Sequence, residues 1–364
     1  TFCNSPLSEY WLTDYALFRS IKEEHDQSPW FHWPTPLRDY IPWEIEPYKE
    51  NPLYNYFRFL QYLFFRQWLM FKQKAEELGV ILFGDIPIFI SYDSADVWSH
   101  RAHFKLTPNG WPRAVAGVPP DYFSDTGQLW GNPLYNWNVM KAGDYDWWAQ
   151  RFSLLSQLVD WIRIDHFRGF EAYWEIPAKE KTAINGKWKK GPGKHFFKTL
   201  QPYLENLQIV AEDLGVITPE VNELREAFAF PGMKVLQFAF GGDAQNLYLP
   251  HNHTENSIVY TGTHDNDTTL GWYQNADAAV QQHVHDYFGI DGSHISLKMI
   301  RYALMSVAHT AIFPMQDLME LSSRYRMNTP AQAEGNWRWR LLWSKLPEAN
   351  SRFLVELNRL TGRD

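Results

Sequence analysis

The sequence predicts an α/β chain of (β/α)8 TIM-barrel type with inserted helical and loop subdomains. Three observations point there. Six segments, at roughly 80–86, 159–165, 207–212, 233–240, 257–263 and 310–316, are mostly apolar throughout, as parallel strands covered on both faces are. Helical patterns alternate with them, the order of repeated β/α units. Acidic residues sit at the ends of five of them: Asp85, Asp165, Glu212, Asp265 and Asp317. Polar groups at the C-terminal ends of several parallel strands mark a barrel with its chemistry at the mouth. A doubly wound sheet is the alternative, but the chain has no GxGxxG or GxxxxGK loop. A barrel of this class has eight strands, so six leave the count two short.

Taken in order, residues 9–24 read as an amphipathic helix, with Trp11, Tyr15, Leu17, Phe18 and Ile21 at helical spacing. Residues 28–52 are rich in Pro and Trp and read as an ordered loop. Residues 54–78 form a long helical pattern that Gly79 caps. The first strand then runs into the Gly84-Asp85 turn. A helix at 146–158 precedes the second strand, and one at 194–206 precedes the third. Thr218-Pro219 opens a further helix, as an N-cap followed by Pro in the first turn. Helices near 276–288 and 294–308 lead to the sixth strand, and an amphipathic helix near 350–360 closes the chain. The predicted organisation is one barrel domain over 1–364, incomplete at its N terminus. Residues 1–79 make a helical and loop subdomain, and 80–364 carry the barrel strands and helices.

Composition excludes several classes. Of 364 residues, 45% are hydrophobic and 21% charged, as in globular proteins. The net charge of −8 comes without a strong basic stripe, which argues against a nucleic-acid partner. No run of about 18 apolar residues exists, so no membrane span is expected. The single cysteine, Cys3, permits no internal disulfide and points to a reducing compartment. Aromatic residues reach 17%, including 18 Trp. Most suit a large core, and the excess suits stacking on sugar rings.

Three carboxylates stand out. Asp165 ends the strand at 159–165, two residues after Arg163, and a strand puts i and i+2 on one face. A carboxylate kept ionised by a neighbouring guanidinium is what a carboxylate nucleophile needs. Glu212 and Asp265 end two other strands. Glycosyl transfer with retention requires a carboxylate nucleophile and a carboxylic acid, and crowding of carboxylates raises the pKa of one of them. Each carboxylate alone could be a turn or cap residue. Three together, with Arg163 and His264 adjacent, favour catalysis.

These residues lie in motifs that resemble the 4-α-glucanotransferases (amylomaltases or disproportionating enzymes, glycoside hydrolase family 77). The motifs are Arg163-Ile-Asp-His-Phe-Arg-Gly169, Ala211-Glu-Asp-Leu-Gly215 and Thr263-His-Asp-Asn266. Gly117-Val-Pro-Pro-Asp-Tyr-Phe-Ser-Asp-Thr-Gly-Gln-Leu-Trp-Gly-Asn-Pro-Leu-Tyr135 is similar to a segment specific to that family. Gly84-Asp-Ile-Pro-Ile88, Leu249-Pro-His-Asn252, Met315-Gln-Asp-Leu318 and Asn336-Trp-Arg338 add to the resemblance. It runs from about residue 10 to the last helix.

The resemblance implies a double displacement that moves an α-1,4-glucan segment to the 4-OH of glucose or another glucan. Asp165 would be the nucleophile, Glu212 the acid/base and Asp265 a ligand of sugar hydroxyls. Arg163 would keep Asp165 ionised and His264 would donate to the sugar. A loop over 117–137, carrying Tyr122, Phe123, Gln128 and Trp130, would overlie the sugar groove and exclude water. Asp121, Asp213 and Asn336 would be further sugar ligands. No cofactor and no metal are implied, and no His pair here comes with a third ligand at recognisable spacing. Maltooligosaccharides and glucose are the implied partners. The expected location is the cytoplasm, or the plastid if a targeting segment precedes this chain. The resemblance also implies that family members begin with sequence holding the first two barrel strands and part of the donor groove, so those two strands are expected to be missing from this chain. An α-glucan hydrolase with the same triad, or a non-catalytic glucan-binding homologue, are the alternatives.

Overall fold

A computed structural model describes residues 2, 5–121, 124–332 and 334–363. The chain divides into two compact units, 1–230 and 231–364.

In the first unit a parallel sheet carries the functional residues. Strands β1 (Phe83–Pro87), β4 (Trp161–Asp165) and β7 (Gln208–Ala211) lie in the order β1-β4-β7. Their register sets Asp85 opposite Arg163 and Pro87 opposite Asp165, while Ile164 pairs with Ala211. Ile162 and Ile164 are buried, leaving Arg163 and Asp165 on the other face. Helix Pro52–Glu77 begins as its sequence dictates. The Asn51 side chain accepts from the Leu53 N–H, and Pro52 takes the first position, where a missing N–H costs nothing. Its Trp68 donates to the carbonyl of Leu158 at 2.7 Å, docking it beside the turn into β4. Helix Asp146–Leu158 feeds β4, and helix Gly193–Leu204 feeds β7. Much of the aromatic content is core, as expected: Trp30, Trp98, Trp148, Phe152, Phe167 and Phe196 are fully buried.

The second sheet of this unit is antiparallel, in the order β3-β2-β5-β6. Its strands are β2 (Ala114–Val118), β3 (Gln128–Pro133), β5 (Ala172–Pro177) and β6 (Lys187–Lys190). Residues expected to form a loop over 117–137 thus contribute strand β3 and the end of β2. Gly117 is required where these strands meet, because a Cβ there would lie 2.1 Å from the Gln128 carbonyl oxygen. The expected loop at 28–52 is a series of short helical turns between Trp30 and Glu50.

The second unit holds β8 (Gly232–Val235), β9 (Ser257–Tyr260) and β10 (Thr310–Ile312), parallel in the order β10-β9-β8. Helices Ala278–Phe288 and Ile295–Met305 bury Val284, Phe288, Met299 and Ala303 in its core. Asp317 is structural: its buried carboxylate accepts from Thr261 Oγ1 at 2.6 Å and from the Thr269 N–H and Oγ1 at 2.7 Å. Burial raises its pKa, and these donors oppose the rise.

All six expected parallel strands are present, and the α/β class holds. Among the described residues the six form two three-stranded sheets, with no closed barrel. No helix among them is long and apolar enough to cross a membrane.

Candidate active site

In the first unit Arg163 organises the end of the sheet. Its Nη2 donates to Asp165 Oδ1 at 2.7 Å and its Nη1 to Asp85 Oδ2 at 2.6 Å. The guanidinium side chain is only 11% exposed, whereas Asp165 remains 42% exposed and open to a reactant. Burial pulls the Arg163 pKa down, but the charges of Asp85, Asp165 and Glu212 outweigh it and hold it above its ordinary value. Arg163 therefore stays cationic and favours the ionised form of Asp165. Asp85 is a residue that sequence reasoning left out of the site. The visible signal was its place after an apolar strand, within the Gly84-Asp-Ile-Pro motif.

Glu212 follows β7, next to Asp165. Its N–H donates to the Ile164 carbonyl at 3.0 Å, which continues the ladder one residue beyond the strand. Oε2 accepts from the His166 N–H at 2.8 Å and Oε1 from the Leu214 N–H at 3.0 Å. Burial pushes the Glu212 carboxyl up to about 7. Arg163 and the two N–H donors pull it down, while the Asp165 charge adds to the rise. Two neighbouring carboxylates thus differ: one is ion-paired to a guanidinium, and the other keeps its proton to near neutrality.

Gln128 and Trp130 lie exposed on β3, and the Trp130 Nε1 donates to Gln128 Oε1 at 3.1 Å. Trp130 stands edge-on to the His166 ring, 4.9 Å between centroids, which sets β3 beside the carboxylate pair. Asp121 is exposed and accepts from the Ser124 N–H at 2.9 Å. Asp213 faces a different partner: its side chain, 8% exposed, is ion-paired with Arg225 of helix Pro219–Glu226 at 3.3 Å. Tyr122 and Phe123 lie outside the described residues.

In the second unit Asp265 follows β9. Its Oδ1 accepts from Asn328 Nδ2 at 2.6 Å, and its Oδ2 lies 3.4 Å from His264 Nε2. Arg326 Nη2 donates to the Asp265 carbonyl and its Nε to the Asn328 carbonyl, both at 2.8 Å. His264 lies 5.3 Å from the exposed ring of Trp337. Asn328 and Arg326 were not legible in the sequence, since they come from an irregular loop far along the chain. Asn336 staples that loop: its Oδ1 accepts from the Thr329 N–H, and its Nδ2 donates to the Gln332 carbonyl, each at 2.9 Å. Among the described residues no three His, Cys, Asp or Glu side chains come together as a metal site.

Comparison with known proteins accords with this chemistry. Residues 1–345 match the family model described as 4-alpha-glucanotransferase. A 4-alpha-glucanotransferase of Synechocystis sp. is 50% identical over 363 residues, covering 97% of this chain and 71% of that protein. One from Thermus thermophilus is 47% identical over 355 residues, covering 94% of this chain and 71% of that protein. The solved amylomaltase from Streptococcus agalactiae in complex with acarbose matches with a TM-score of 0.94 at 38% identity. That match covers 98% of this chain and 73% of that one.

Proposed function

The chain belongs to the 4-alpha-glucanotransferase family of enzymes, and on that premise we propose that it transfers α-1,4-glucan segments by a retaining double displacement. The donor is a maltooligosaccharide or longer α-1,4-glucan, and the acceptor is glucose or another glucan. The observation that carries this reading is the divergence of two adjacent carboxylates. Asp165 is ion-paired to Arg163, while Glu212 is pushed up to about 7. Opposed environments for paired carboxylates separate a nucleophile from an acid.

In the first step a carboxylate oxygen of Asp165 bonds to C1 of the donor sugar. The glycosidic C1–O bond breaks, and the Glu212 proton goes to the departing oxygen. In the second step the acceptor 4-OH attacks C1 and the ester bond to Asp165 breaks. The acceptor proton returns to Glu212. Arg163 steadies Asp165 as carboxylate and as leaving group. In the second unit Asp265, oriented by Asn328, and His264 are read as ligands of sugar hydroxyls. Gln128 and Trp130 on β3 cover the bound sugar and shield the ester from water, so that an acceptor sugar outcompetes hydrolysis. We also assign the six parallel strands to a (β/α)8-type architecture and the activity to the cytoplasm or, in a plastid-bearing cell, the plastid.

The test is disproportionation. Incubated with maltotriose, the protein should yield glucose together with longer maltooligosaccharides, and Asp165→Asn should abolish the ladder. Release of reducing ends without longer products would identify a hydrolase. Binding of acarbose with no turnover, unchanged in Asp165→Asn, would identify a glucan-binding protein.

A further inference from the structure

His166, the residue after Asp165, has a left-handed backbone, with φ 53° and ψ 48°. That conformation is unfavourable for a residue with a Cβ and persists where the surroundings impose it. Here it aims the His166 N–H at Glu212 Oε2, 2.8 Å away. The imidazole Nε2 is buried and has no hydrogen-bond partner among the described residues. Burial and the Arg168 charge push its pKa down to about 3, so the ring is neutral. Aromatic packing holds the ring. The Trp130 indole meets it at 4.9 Å and 86°, and the Phe89 ring lies 6.3 Å away. At the Nε2 edge the chain passes so close that a Cβ on Gly169 would lie 3.2 Å from the imidazole Cδ2 and 3.8 Å from Nε2.

We infer that His166 is a positioning residue that couples strand β3 to Glu212: Trp130 packed on the imidazole fixes the left-handed backbone, and that backbone presents its N–H to the carboxylate. The inference rests on the reading of Glu212 as the acid/base. It gives the cover over the sugar a second task. With Trp130 packed on the ring, the carboxylate has a second N–H donor; without that packing, the donor is released.

The sign of the effect separates this coupling from simple loosening. An N–H donor stabilises the charged carboxylate, so its loss raises the Glu212 pKa. Admission of water would lower it instead, because burial is the largest cause of the rise. The charged groups around Glu212 are Arg163 and Asp165 on β4, with Asp85 on β1 behind Arg163 and Arg168 beside His166. The Leu214 N–H is its other donor. The Trp130 and His166 rings carry no charge, so removing them alters no Coulombic partner.

The experiment is the pH profile of kcat/KM for maltotriose disproportionation in Trp130→Ala, Trp130→Phe, His166→Asn and the His166→Asn/Trp130→Ala double variant. Asn tolerates the left-handed backbone and preserves folding at this position. Trp130→Ala should move the alkaline limb up by roughly half a pH unit to one unit, a 3- to 10-fold change in acidity, and Trp130→Phe should stay near the parent. In the His166→Asn background, Trp130→Ala should add no further shift. A limb that stays in place or moves down in Trp130→Ala, or a shift of the same size in both backgrounds, would overturn the coupling. Glu212→Gln is the control: if it keeps both transfer and the alkaline limb, the reading of Glu212 fails and takes this inference with it.

Discussion

Glu212 and Asp265 both follow the C-terminal end of a parallel strand, yet they are held by different means. Glu212 is bound by main-chain donors within its own sheet and turn, and the adjacent strand supplies Arg163. Asp265 is held by side chains, chiefly Asn328 from a loop more than sixty residues later, with His264 at its side. The His166 and Leu214 N–H groups lie in turns just past β4 and β7 and move less than a side chain on a loop, and the His166 donor depends in addition on Trp130 packed on its ring. An Asn side chain on a loop depends on that loop, which Asn336 and Arg326 tie down. The difference predicts where substitution will be catastrophic and where it will be graded.

The largest effect is expected at the sheet. Asp165→Asn should lower maltotriose disproportionation about 10⁴-fold, since no other group can form the ester. Glu212→Gln should lower kcat with natural donors about 10³-fold, and much less with a donor whose leaving group needs no proton. At the loop, Asn328→Ala should cost about 10- to 100-fold, the scale of one hydrogen bond to a charged group. An Asn328 effect as large as that of Asp165→Asn would break the contrast between sheet-held and loop-held carboxylates.

A smaller effect concerns pH. Glu212 acts as an acid only while protonated, so kcat/KM should fall as pH rises through about 7. Stability follows the same group. Its carboxyl, ordinarily near 4.5, is raised to about 7 in the folded chain. Between those values the folded protein keeps a proton that the unfolded chain has lost, so its contribution to stability falls as pH rises across that window. Glu212→Gln does not titrate. It should unfold at a higher temperature than the parent above pH 7, by the equivalent of about 1–3 kcal/mol, with the gap closing toward pH 4. Thermal melts across that range would show it.

The six parallel strands could be read from the sequence because each is a short apolar run, with boundaries off by up to five residues. The antiparallel sheet could not. Gly117 interrupts β2, Gly and Pro punctuate β3, and β6 is Lys-Trp-Lys-Lys with no buried position, so none shows the alternation of a half-buried strand. The carboxylates at strand ends were legible for the same reason as the strands. Their partners were not: Asp85 meets Arg163 through sheet register, His166 acts through its main chain, and Asn328 arrives from a loop. Asp213 and Asn336 sit in the expected motifs, yet their side chains serve an ion pair to Arg225 and a loop staple. A motif specifies a residue and its neighbours in sequence; it does not specify which way the side chain faces.

The most direct test of the division of labour between Asp165 and Glu212 is intact and peptide mass measurement of Glu212→Gln incubated with an α-maltosyl fluoride. Fluoride leaves without a proton, so the first step proceeds, and the missing base leaves the ester long-lived. An adduct of maltosyl mass confined to the peptide carrying Asp165, and absent when Asp165→Asn is added, is the predicted result. An adduct on another residue, or free sugar released at the parent rate with no adduct, would contradict it.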